Sequence, residues 1–284
     1  MVYFCADDYG LNDISSIRIR ECIKSGALNK VSVFPNFQKS DIQSLLENQN
    51  LSISLHLNLV EGKCMGKRDE LSLLVDSEGD FKNAFGGLFK LALFNKKEFE
   101  IEVYKEIKAQ ISFWKSRFPN IPFFIDSHQH THMIPTVFKA LIKVLEDEGI
   151  KAEYIRIPAE PISLFIKTPS LYLTYSPINI IKQWLLKILW VRNKKVLNNS
   201  IPTALFFGIL FSGKMDEKRV LKLIPKYEKL ANKKGMDIEV LFHPGYLEKE
   251  SELEKDIPFS KFYLSKNRKI EYDSVMKIKE RSEP

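Results

Sequence analysis

Seven short apolar runs recur along the chain, most of them ending in polar or small residues. They are VYFCADD (2–8), KVSVFPN (30–36), SISLHLNL (52–59), PFFIDSHQH (122–130), EYIRIPAE (153–160), TALFFGILFS (203–212) and DIEVLFHPG (237–245). Their richness in Val, Ile, Leu and Phe is that of parallel strands covered on both faces. Helix-like stretches lie between most of them. DISSIRIRECIKSGAL (13–28) starts with an Asp suited to capping and has a glycine near its end. Residues 98–117 and 134–148 repeat apolar side chains at helical spacing, and 215–234 is amphipathic with Pro225 as an expected kink. Strand and helix in alternation dictate an α/β fold with a parallel sheet and helices outside. Seven strands in 284 residues predict a TIM-like (β/α) barrel one strand short of the usual eight, formed as a single domain over 1–284. A doubly wound open sheet is the alternative, but no GxGxxG or P-loop follows an early strand.

Composition narrows the class further. The chain is 44% hydrophobic and 28% charged, enough to build a core and too apolar for disorder. The net charge of +7 comes from lysines scattered among glutamates, as in NKKEFEIEVYKEIK (95–108). No basic stripe with interleaved aromatics marks a nucleic-acid groove. Three cysteines, Cys5, Cys22 and Cys64, form no CxxC pair. With no signal-like N-terminus, they point to reduced thiols and a cytoplasmic protein. The apolar runs 168–181 and 200–213 are 14 residues each and contain proline, which is too short for a transmembrane span of about 20 residues.

Polar residues gather at the strand ends. Asp7 and Asp8 end the first run, His56 and Asn58 the third, Asp126, His128 and His130 the fourth, and His243 the seventh, while Arg156 sits on the fifth. In α/β barrels the carboxyl ends of the strands meet at one rim, so these residues converge. All five histidines of the chain lie at such ends or in the loop beyond. DSHQHTHMIP (126–135) holds three of them; in an extended segment Asp126, His128, His130 and His132 would line one face. Residues two apart on a strand are separated by about 6.7 Å and residues four apart by about 13 Å. One metal could therefore take one or two ligands from the run but not three. Asp8 and His56 are the candidates for the rest, leaving spare histidines for outer positions or proton transfer.

The motifs ADDYGLN (6–12), SLHLNLVEGK (54–63), DSHQHTHMIP (126–135), IRIPAEP (155–161) and HPG (243–245) together resemble the YdjC/ChbG family of carbohydrate deacetylases. The resemblance implies a TIM-like barrel and hydrolysis of the N-acetyl group of an amino sugar, typically in chitin-derived oligosaccharides. It also implies a divalent metal, Mg or Zn, held by Asp8, His56 and His128. Asp7 would be the base and His243 the proton donor, with His130 as the other candidate donor. Asn58, His130, His132 and Arg156 are assigned to the sugar. On softness grounds two imidazoles and a carboxylate suit Zn, Co, Ni or Mn better than Mg. Two other readings stand beside this one: a metal-dependent hydrolase of a phosphoester or cyclic amide, and a sugar-binding barrel without activity. An intact Asp7 beside the ligand Asp8 argues against the last.

One region departs from the family pattern, an apolar insertion around 161–202. Within it INIIKQWLLKILWV (178–191) reads as a helix with more apolar surface than one buried stripe needs. Ile181, Trp184, Leu185 and Ile188 share a face. Packing against the barrel, a homodimer contact, a lid over the sugar and a membrane surface are the ways to cover it.

Overall fold

The computed structural model describes residues 1–37, 41–197, 201–252 and 263–282; residues 198–200 of the expected insertion lie outside the described residues. The chain runs β1 (Val2–Tyr9), α1 (Asp13–Lys24), β2 (Lys30–Val33), α2 (Gln43–Leu46), β3 (Ser52–Leu57), α3 (Phe85–Phe94), α4 (Lys96–Arg117), β4 (Phe124–Ser127) and α5 (Pro135–Asp147). It continues through β5 (Tyr154–Ile155), α6 (Ile162–Ile166), α7 (Pro177–Leu197), β6 (Leu205–Phe207), α8 (Glu217–Lys234), β7 (Ile238–Phe242) and α9 (Lys266–Ser282). Each apolar run marks one strand; β1 runs one residue past its run to Tyr9, and the other six strands are shorter than theirs. All paired strands are parallel, in the order β5-β4-β3-β2-β1-β7-β6. The sheet curls into a half-barrel whose edges are β5 and β6, with a hydrogen bond of 3.1 Å from Ile155 N to Pro202 O across the seam. The seven-stranded α/β barrel read from the sequence is the fold observed.

Local chemistry accounts for several element ends. Helix α1 is capped by Asn12, whose side chain accepts from Ile14 N and Ser15 N, and Asp13 is its first residue rather than its cap. Asp216 caps α8 by accepting from Arg219 N, and Gly235 closes that helix in the left-handed conformation. Pro225 lies inside α8, which runs on through it as one helix. The half-barrel core is continuous from Ala6, Val31 and Leu55 on the strands to Trp114, Phe138 and Tyr227 on the helices.

The region 161–202 is the connection from β5 to β6. Helix α7 buries Gln183, Leu186, Leu189, Asn193 and Leu197, and Asn193 Nδ2 donates to Met133 O at 2.8 Å. Among the described residues, no helix is long and apolar enough to cross a membrane.

Candidate active site

The carboxyl ends of the strands surround a cavity of about 270 Å³. Asp7, Asp8, His56, His128, His130 and His243 line it, all anticipated from the sequence, together with Glu61, Lys182, Tyr263, Arg268 and Glu271. A regular strand would aim Asp7 and Asp8 at opposite faces. Here the β1–β2 register breaks between Ala6 and Tyr9, and Asp8 takes a φ of 71°. That left-handed turn is unfavourable for a residue with a Cβ, and it lets both carboxylates face the cavity. The histidine run bends in the same way. β4 stops at Ser127, and His128–Met133 forms a 3-10 turn with Gln129 at φ 51° and His130 at φ 57°. The expectation of one extended face is therefore corrected: His128 and His130 reach the cavity, and His132 does not.

Asp8, His56 and His128 each offer a ligand atom, and these atoms lie within 4.8 Å of one another. His56 Nδ1 is 2.5 Å from Asp126 Oδ1. Its Nε2 is buried without a hydrogen-bond partner, 3.6 Å from Asp8 Oδ1. His128 Nδ1 lies 3.1 Å from the same Asp8 oxygen, and its Nε2 lies 3.2 Å from Glu61 Oε1. An orphaned imidazole nitrogen facing a carboxylate and a second imidazole, each ring backed by its own acid, is a donor set that fits a divalent metal. Asp7, His56 and Asp126 also come together. In that group, however, His56 Nδ1 and Asp126 are already bonded to each other, and Asp126 also accepts from Ser32 Oγ at 2.7 Å and Ser54 Oγ at 2.6 Å.

Electrostatics match this division. Burial raises the Asp8 carboxyl, but the Arg268 guanidinium, the hydrogen bond with His128 and the neighbouring His56 ring outweigh it and hold Asp8 well below the usual carboxylate range. For His56, burial opposes the proton, yet Asp7, Asp126 and Asp8 together push the ring up to about 10. A cation bound there would take the place of that proton. Burial drives His130 well below its ordinary value, helped by Lys182 and Arg156, so its ring is neutral.

Asp7 is gripped from below by Arg156, with NH1 to Oδ2 at 2.6 Å and NH2 to Oδ1 at 2.9 Å. Glu239 Oε1 in turn accepts from Arg156 Nε at 2.8 Å and NH2 at 2.6 Å. His243 lies opposite, its backbone N donating to Glu271 Oε2 at 2.6 Å and its Nδ1 3.5 Å from the same oxygen.

Three of the residues assigned to the sugar are placed elsewhere. Arg156 is fully buried, and its donors are spent on Asp7, Glu239, Ser32 and Cys5. His132 bridges Ser127 Oγ and the Arg156 carbonyl. Asn58 accepts from Val60 N and Glu61 N and donates to Asn36 and Glu61 O, folding the turn that returns Glu61 to the cavity. Polar residues at strand ends read alike in sequence whether they point into the cavity or beneath it. Arg268 and Glu271 had no legible signal, because a charged pair three apart on a helix looks like an exposed ion pair. Arg268 NH2 reaches Asp8 Oδ2 at 2.6 Å across 260 residues of sequence. Glu61 stood inside the motif SLHLNLVEGK but carried no assigned role.

Comparison with known proteins bears on family and fold. The model of the family described as YdjC-like protein matches residues 1–280. A carbohydrate deacetylase of Danio rerio is 30% identical over 156 residues, 55% of this chain and 49% of that protein. A chitooligosaccharide deacetylase of Yersinia enterocolitica is 22% identical over 248 residues, 86% of this chain and 81% of that one. The chain thus spans about half the length of curated relatives such as the Danio rerio protein. A crystal structure from Enterococcus faecalis, of a protein provisionally named for cellobiose-phosphate cleavage, superposes with a TM-score of 0.68 at 18% identity. It covers 98% of this chain and 92% of that one, and the likeness is one of fold.

Proposed function

The chain belongs to the YdjC-like family, and from that premise we propose that it is a metal-dependent hydrolase that removes N-acetyl groups from amino sugars such as chito-oligosaccharides. The bond broken is a linear amide C–N bond. The observation that carries the proposal is the unpartnered His56 Nε2 facing Asp8 and His128, with Asp7 at the adjacent position of the same cavity. The relatives named as carbohydrate deacetylases support the substrate class.

Asp8, His56 and His128 would hold one divalent cation, and the softness of two imidazoles favours zinc over magnesium. Such a cation supplies Lewis acidity, which polarises an amide carbonyl and makes water a better acid. The chain's own residues do the rest. Asp7, fixed by the Arg156 fork, accepts one hydrogen bond on Oδ2, which leaves that oxygen a lone pair to take the proton of the attacking water. His243, oriented by Glu271, returns a proton to the departing amine. His130, neutral and at the cavity wall, is left to contact the sugar. Three free thiols, two of them buried, accord with a cytoplasmic setting.

The test is acetate release from N-acetylated chito-oligosaccharides by the purified protein, with and without chelator. Release that stops with chelator and returns with zinc or magnesium is the expected result. Release unaffected by chelator would remove the metal from the proposal. No release from any N-acetylated sugar would remove the reaction itself.

A further inference from the structure

Helix α7 is apolar on its outer side. Gln183, Leu186, Leu189, Asn193 and Leu197 form its buried stripe, two of them amides whose NH2 groups donate to the backbone carbonyls of Glu160 and Met133. The opposite stripe carries Ile181, Trp184, Ile188 and Val191, which are 68%, 54%, 52% and 65% exposed. Nearby, Ile166 and Tyr172 are also exposed, and Leu173 is fully so. A contiguous patch of this kind is uncommon on a protein that meets only water.

The charge around the patch is one-sided. Residues 161–215 contain no Asp or Glu, in a chain with 36 of them. Helix α7 itself carries Lys182, Lys187, Arg192, Lys194 and Lys195. At helical spacing Lys187 and Lys194 fall along one border of the apolar stripe and Arg192 along the other. A two-fold dimer through this face would set the same cations against themselves. An anionic bilayer satisfies both features at once, since its acyl boundary takes the apolar side chains and its headgroups take the lysines. Trp184 in the stripe suits that boundary as well.

We propose that the outer face of α7 docks this protein on the surface of a bilayer carrying anionic lipid. Docking is peripheral, with the helix lying in the interface and its inner stripe still packed on the half-barrel. Lys182 of the same helix lines the catalytic cavity, so a docked helix holds that cavity close to the headgroup layer.

The test is flotation of the full chain with vesicles of phosphatidylcholine alone and of phosphatidylcholine mixed with phosphatidylglycerol. The mixed vesicles should carry the protein, and high salt should weaken binding. Each cation at an anionic surface strengthens binding by about fivefold. The Lys187→Glu, Arg192→Glu, Lys194→Glu variant should therefore lose at least about tenfold on mixed vesicles. The Ile181→Gln, Trp184→Gln, Ile188→Gln variant should lose binding as well, with its thermal midpoint unchanged because these side chains already face water. Failure of the wild-type chain to float with mixed vesicles overturns the proposal. So does unchanged binding in both variants. A wild-type dimer that the glutamine variant converts to monomer in sedimentation makes the face a subunit contact and also overturns it. Binding is read without turnover, so the outcome is independent of the proposed reaction.

Discussion

Asp126 Oδ1 lies 2.5 Å from His56 Nδ1, and this pairing decides which nitrogen of His56 faces the cavity. Both Asp126 oxygens are engaged, one by the ring and the other by Ser32 and Ser54, so the imidazole cannot turn without breaking the set. Burial raises Asp126, but Arg156, His56 and Lys30 more than reverse this and keep it ionised. The ring is thus held with Nε2 toward Asp8 before any cation arrives.

The Asp126→Asn variant is expected to weaken metal binding about 10–100-fold, the usual effect of losing a carboxylate behind a ligand histidine. His56→Ala and His128→Ala should each abolish stoichiometric metal. Metal analysis after dialysis against a graded chelator buffer measures both. Full occupancy in His56→Ala would show that the cation binds elsewhere.

Asp7→Asn should retain metal and lose turnover by a factor of about 10²–10⁴, the range for a general base. Arg156→Met should behave differently. It leaves Asp7 a buried acid without its cation and takes one partner each from Asp126 and Glu239, which keep His56 and Lys30, and breaking a buried pair in this way costs about 3–5 kcal/mol. Chemical denaturation separates the two, since Asp7→Asn should give a turnover loss far larger than any stability loss. Near-normal turnover in Asp7→Asn would reduce Asp7 to a structural partner of Arg156.

Asn58→Ala distinguishes a turn builder from a sugar ligand. Its side chain satisfies Val60 N and Glu61 N, and buried groups left unpaired cost about 1–3 kcal/mol. The melting temperature should fall and metal affinity should drop as Glu61 leaves His128. A raised KM with an unchanged melting temperature would instead put Asn58 against the substrate.

The buried His132 gives a pH dependence with a definite sign. Burial lowers its folded pKa from 6.5 to about 4, with the Asp126 charge and the Arg156 carbonyl only partly opposing. Between those values the unfolded chain takes a proton that the folded chain refuses. Stability therefore falls as pH drops from 6.5 toward 4, by about 3 kcal/mol from this ring. The His132→Gln variant should be less stable at neutral pH but should lose less over that window. Denaturant midpoints at matched pH values measure the difference, and parallel curves for the two proteins would remove His132 as the cause.

Seven strands, their order along the chain and the polar character of their carboxyl ends were legible in the sequence, because apolar runs and alternation report local burial and backbone period. Asp8, His56 and His128 were legible for the same reason, since each closes or follows a strand whose end must reach the rim. The apolar excess of α7 was also visible, as more large side chains than one stripe can bury. Only the tertiary structure decided which strand-end residues turn into the cavity. The left-handed backbone at Asp8 and His130 overrides the two-residue period from which their directions were read. Arg156 meets Asp7 across 149 residues, and Arg268 meets Asp8 across 260. A buried charge is defined by the partner that neutralises it, and no local pattern encodes a partner brought in by the closing of the sheet.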